Sequence, residues 1–120
     1  MRAGGVIRDH LAGVAATVES MNGIDGLGSV ATHLAAAAEA TAAATDWLIE
    51  HGVADPRDAL AGATAYLEML AVTTGGQALA DGAVAVHEEG DDEAGDRAVL
   101  ARFFAANRLA RVPGMLAAAT

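Results

Sequence analysis

The sequence predicts an all-α fold, an up-down antiparallel four-helix bundle, and three observations predict it. Hydrophobic residues make up 53% of the 120 positions but aromatics only 3%, so alanine, the best helix former, carries the apolar character. Larger apolar residues recur at steps of three and four, the spacing that gathers side chains on one face of a helix. Glycine-bearing links with helix stop and start residues then separate these periodic stretches. Together they describe a single helical domain, 1–120, with helices expected over about 6–21, 29–51, 56–87 and 93–118.

The first helix places Ile7, Leu11, Val14 and Val18 on one face and stops at Asn22-Gly23, a pair suited to a left-handed terminating residue. After a glycine-rich turn with Ser29 or Asp25 available as a cap, the stretch Leu27 to His51 is the most apolar of the chain. Leu27, Ala31, Leu34, Ala38, Thr41, Thr45 and Leu48 form one row and Ala40, Ala44 and Trp47 a second. A helix with so wide an apolar surface is expected to be buried on more than one side. Trp47, the only tryptophan, is expected to be its bulky core anchor.

Asp55-Pro56-Arg57-Asp58 is the clearest start signal: Asp55 accepts free N–H groups, Pro56 loses no hydrogen bond at the first helical position, and Asp58 adds negative charge. The third helix is expected to face inward with Leu60, Ala63, Leu67, Leu70 and Thr74, flanked by Tyr66 and Met69. Gly75-Gly76 costs roughly 1 kcal/mol per glycine relative to alanine, which is tolerated where another backbone packs very close, and the helix is expected to continue past the pair. The acidic run from His87 to Glu93 reads as a solvated turn that starts the fourth helix. That last helix is expected to turn Val99, Phe103, Ala106, Ala110 and Leu116 inward and to kink or end at Pro113.

The net charge of −9, from 16 acids against 7 arginines, disfavours nucleic acid and anionic membranes as partners. With no cysteine there is no disulfide framework, and no stretch approaches the roughly 20 apolar residues of a spanning helix. A cytoplasmic location is the expectation.

Catalytic constellations are missing from the pattern. None of His10, His33, His51 and His87 has an acid three residues before it, so the Glu-x-x-His spacing of a di-iron bundle does not occur, and no metal site is expected. Gly26-Leu27-Gly28-Ser29-Val30-Ala31 has the form G-x-G-x-x-A but follows no strand, so it reads as a capped turn rather than a dinucleotide cradle. Two serines without a suitably spaced histidine support no acyl-transfer site. Trp47, Tyr66, Gly75, Gly76, Phe103 and Phe104 therefore stand as packing and interface residues, with no catalytic, cofactor-binding or metal residue among them.

Several of these segments carry a family resemblance. Leu34 to Ile49 (LAAAAEATAAATDWLI), Asp55 to Leu67 (DPRDALAGATAYL), the Gly75-Gly76 pair and Ala101-Arg102-Phe103-Phe104-Ala105 resemble, in order and spacing over about three quarters of the chain, the C-terminal helical domain of long-form bacterial acyl-CoA dehydrogenases, the subgroup that includes methylmercaptopropionyl-CoA dehydrogenase. Arg2-Ala3-Gly4-Gly5 is similar to the Arg-Asp-Gly-Gly segment that in this family follows the flavin-contacting motif. The resemblance implies that FAD, the acyl pocket and the proton-abstracting glutamate belong to a catalytic part outside this sequence, and none of the family's catalytic or flavin residues maps onto it. Gln77 departs from the family, which often has a large apolar or aromatic residue after the glycine pair. The resemblance implies a non-catalytic domain that packs on the catalytic part of an acyl-CoA dehydrogenase or on a second copy of itself. The alternative is a stand-alone, small homo-oligomeric bundle acting as an interaction module.

Overall fold

A computed structural model describes residues 2–52, 55–90 and 94–120 of the chain. It is all-helical, with no strand among the described residues, and contains α1 (Arg2–Ser20), α2 (Gly28–His51), α3 (Pro56–Glu89) and α4 (Ala94–Asn107). Two 3₁₀ turns, Leu109–Arg111 and Pro113–Met115, lead into a terminal single turn, α5 (Leu116–Ala119).

Side-chain pairings define how the helices meet. Arg8 reaches Asp46 at 3.0 Å and Gly4 lies against Ile49, so the start of α1 sits at the end of α2. Thr45 meets Tyr66 and Thr41 meets Thr73, which runs α2 and α3 in opposed directions. Gly75 faces Phe104 and Gly82 faces Arg97, and α3 and α4 are opposed in the same way. Both α2 and α3 touch all the other long helices, whereas α1 and α4 have no close backbone approach to each other among the described residues. The molecule is accordingly flat, 52 × 26 × 17 Å, with α2 and α3 as its spine and α1 and α4 along opposite edges.

Helix α1 begins four residues before the expected Val6 because Gly4 fits against Ile49, where a Cβ would come within 2.5 Å of that side chain. The α1–α2 link turns on Gly23 and Gly26, at φ 76° and 86°, values that only glycine adopts without strain. Neither Ser29 nor Asp25 caps α2: its first residue follows Leu27, with no side-chain cap. Burial of Met21 and Leu27 holds the turn instead. At α3 the Asp55 carboxylate does accept a hydrogen bond from Arg57 N–H at 3.2 Å, while the Asp58 side chain lies outside the description. The helix is continuous through Gly75-Gly76 and ends at Glu89, with Gly90 left-handed behind it. The acids Asp91, Asp92 and Glu93, expected to start α4, lie outside the described residues.

The inward faces of α3 and α4 differ from expectation. Tyr66, Met69, Val72, Thr73, Gly76, Ala80 and Ala83 are buried, whereas Leu60 and Leu67 are 74% and 62% exposed. On α4 the buried residues are Ala101 and Ala105, and Val99 and Phe103 are 55% and 67% exposed; Ala106 and Ala110 also face outward. The physical reason is close packing. Where α3 meets α4 the approach is through Gly76, Ala80, Ala101 and Ala105, which leaves little volume for leucine or phenylalanine, and elsewhere Tyr66 and Met69 take the inner face of α3 in place of Leu60 and Leu67. Gly62 shows the limit, since a Cβ there would lie 2.8 Å from the Ala119 carbonyl carbon.

The expected fourth helix, 93–118, is broken well before Pro113. It ends at Asn107, and Arg108 at φ −118°, ψ −54° redirects the chain. Val112 N–H then bonds to the Leu109 carbonyl, the one that a regular helix would have offered to Pro113, which has no N–H to give. The gain is that Leu109 and Val112 are both completely buried.

Candidate functional site

Polar groups inside the bundle are spent on holding helices together. Thr45 Oγ1 donates to the Thr41 carbonyl at 2.8 Å and Thr41 Oγ1 to the Ala37 carbonyl at 2.8 Å. Each hydroxyl has one proton, so across the α2–α3 seam Tyr66 donates to Thr45 at 2.7 Å and Thr73 to Thr41 at 3.2 Å. Between α1 and α3, Thr17 Oγ1 donates to Asp81 at 2.8 Å and His10 bonds Thr74 at 2.8 Å. Gln77 points at this same seam, its Nε2 3.5 Å from Thr17 Oγ1. Every buried side-chain polar atom among the described residues has a partner, and no group of three or more metal-ligating side chains occurs among them.

The six residues singled out from the sequence do not form one site. Tyr66 is a buried seam residue, and Gly75 and Gly76 admit α4 and the turn after it. Phe104 is half-buried over Gly75, with its Cζ 3.4 Å from where a Cβ would stand. Trp47 is not the expected core anchor. It is half-buried near the end of α2 and stacks on His51 with ring centroids 4.5 Å apart and planes at 16°; His51 Nδ1–H donates to the Trp47 carbonyl at 2.9 Å. Phe103 is the one aromatic that faces outward.

The surface therefore holds the features with functional promise. Leu60 and Leu67 lie two turns apart on the outer face of α3, continued by exposed Ala71 and Ala78. On α4, Val99, Leu100 and Phe103 form a ridge. Between α1 and α2 runs an open apolar groove of about 600 Å³, lined by Leu11, Val18 and a row of alanines, with Glu19 and Glu39 beside them. Sequence reasoning missed the groove because its floor is alanine, which reads equally well as a helix contact. The α3 leucines keep the spacing of one helical stripe, and that stripe faces water and not the bundle.

The fold and surface define a class: an all-helical module whose buried chemistry is structural and whose exposed apolar faces are suited to contact. Residues 10–120 match the family of acetyl-CoA dehydrogenase C-terminal-like domains, and the chain belongs to that family. No curated protein and no solved structure matches it. No helix among the described residues is long and apolar enough to cross a membrane.

Proposed function

We propose that this chain is a non-catalytic packing domain of the acyl-CoA dehydrogenase type, whose outer α3 face docks on a catalytic part that holds the flavin and the acyl chain. The observation that carries the reading is the Leu60–Leu67 stripe. Two leucines held mostly in water each forgo burial worth about 1.5–3 kcal/mol, while Tyr66, Met69 and Val72 on the other side of the same helix fill the core. A partner that covers this face recovers that energy. Family membership supports a dehydrogenase as the partner, and the internal pairing of the buried hydroxyls supports a structural rather than a catalytic role for them.

The reading includes an up-down antiparallel bundle, supported by the opposed α1–α2, α2–α3 and α3–α4 pairings. It also includes the long-form bacterial subgroup close to methylmercaptopropionyl-CoA dehydrogenase, FAD on the catalytic part only, and a cytoplasmic setting. The test is direct: the purified chain should carry no flavin absorbance and should oxidise no acyl-CoA thioester. Bound flavin, or turnover by the chain alone, would overturn the proposal.

A further inference from the structure

The outer stripe of α3 extends well past its two leucines, and its residues are ordered so that the stripe matches its own reverse. From Leu60, alternating steps of four and three, the spacing of a coiled-coil seam, lead through Thr64 to Leu67. The same steps continue through Ala71, Thr74, Ala78 and Asp81 to Ala85, and every one of these positions is exposed. Bulk therefore lies in the first half of the stripe and small side chains in the second. One further step at each end reaches Arg57 and Glu88, both exposed and neither in an ion pair among the described residues. At 34 residues and about 1.5 Å per residue, α3 runs the whole 52 Å length of the molecule, so the stripe is one continuous surface.

Turned end for end about a twofold axis between Ala71 and Thr74, the stripe meets a second copy in matched layers: Ala71 against Thr74, Leu67 against Ala78, Thr64 against Asp81, Leu60 against Ala85 and Arg57 against Glu88. Small residues stand at the centre, where two crossing helices come closest, and each leucine lies farther out against an alanine, where axes inclined by about 20° diverge. Asp81, the one charge inside the seam, faces a threonine hydroxyl able to donate to it; its carboxylate already accepts from Thr17 and has lone pairs to spare. The two ends carry opposite charges, and Glu68 beside the seam comes between glycines 75 and 82 of the copy and not against another α3 acid. We infer that two copies of the free chain pair antiparallel through α3 in this register, as a closed twofold dimer. The inference does not rest on docking to a catalytic part: it fills the same face when that part is absent, so the two occupants exclude one another. One helix per copy makes a small interface, under about 1,200 Å² in total, and half-association on the order of 100 µM is expected, which leaves the dilute chain single.

The test uses the whole chain at about 0.15 M salt, where screening over about 8 Å limits the repulsion between two chains of net charge −9. Sedimentation from roughly 10 to 500 µM should show the mass rising from the 12.0 kDa of one chain towards two chains and no further. Leu67→Glu should weaken association at least tenfold and Leu67→Ala, which adds no charge, several-fold, with helical circular dichroism unchanged in both. Crosslinking reads the register, in a chain with no cysteine of its own. An equal mixture of Leu67→Cys and Ala78→Cys should oxidise mainly to the mixed pair, because in either variant alone the two thiols stand roughly 16 Å apart along the seam. Arg57→Glu and Glu88→Arg should each associate several-fold more weakly, and mixing them should restore association, since only the mixed pair has opposite charges at both ends. A wild-type chain that stays single to about 500 µM, growth past two copies, association that Leu67→Glu leaves unchanged, or Leu67→Cys crosslinking to itself as readily as to Ala78→Cys would each overturn the inference. Docking on a catalytic part is read separately, from binding to that part, and stands or falls on its own.

Discussion

Tyr66 Oη stands 2.7 Å from Thr45 Oγ1 in the buried seam between α2 and α3, and because Thr45 commits its own proton to the Thr41 carbonyl, the tyrosine is the donor. Two substitutions at one hydrogen bond should therefore differ in cost. Tyr66→Phe removes the donor and leaves Thr45 still bonded to its helix, a loss of about 0.5–1.5 kcal/mol. Thr45→Val leaves the tyrosine hydroxyl buried with no acceptor and should cost about 1–3 kcal/mol. Urea midpoints at constant slope measure both, and a larger loss in Tyr66→Phe would refute the donor assignment.

The adjacent glycines 75 and 76 should respond to alanine with opposite signs. At Gly75 a Cβ would meet only Phe104 Cζ at 3.4 Å, from a ring that is half-buried and able to shift. Helix propensity should then dominate, and Gly75→Ala should stabilise by up to about 1 kcal/mol. At Gly76 a Cβ would stand 2.7–3.0 Å from three atoms of Leu109, a side chain that is completely buried. Overpacking should outweigh propensity there, and Gly76→Ala should lose about 1–3 kcal/mol. Thermal unfolding of the two variants side by side gives the comparison.

Trp47→Ala should be mild for so large a truncation. The ring is only half-buried and its stacking partner His51 is exposed, so about 1 kcal/mol is expected, against about 2–5 kcal/mol for Leu34→Ala or Met69→Ala, both completely buried. Denaturant titration of the three variants decides the order. A Trp47→Ala loss equal to the other two would place the ring in the core after all.

These three contrasts also mark what was legible in the sequence. The starts of α2 and α3 and the passage of α3 through its glycine pair followed from turn, proline and glycine chemistry, which acts locally. The faces of α3 and α4 did not. Leu60 and Leu67 keep helical spacing, as do Val99 and Phe103, and periodicity marks a stripe without saying whether the bundle or water lies against it. In an alanine-rich chain the usual inference from bulk fails, because contacts close enough to bury Gly62, Gly76 and Ala105 exclude large side chains at those points, and the bulk that α3 does bury, Tyr66 and Met69, lies on a different stripe from Leu60 and Leu67. The end of α4 at Asn107 carries no glycine or proline of its own; it is set by Pro113 six residues on and by the burial of Leu109 and Val112, a tertiary demand.

Leu60→Ser and Leu67→Ser, each mostly exposed, should change the stability of the isolated chain by less than about 0.5 kcal/mol. Chemical unfolding checks it. A loss of about 2 kcal/mol or more would mean that these leucines are folding residues and not a waiting contact.

The central claim is that the outer face of α3 docks on a dehydrogenase catalytic part. The measurement that tests it most directly is titration of this chain into a flavin-loaded acyl-CoA dehydrogenase catalytic part of the same family that lacks its own helical domain, followed by calorimetry. Saturable binding that Leu67→Glu weakens at least tenfold, with the Leu67→Glu chain still fully helical, is the predicted result. Absence of binding by the wild-type chain, or equal binding by Leu67→Glu, would contradict it.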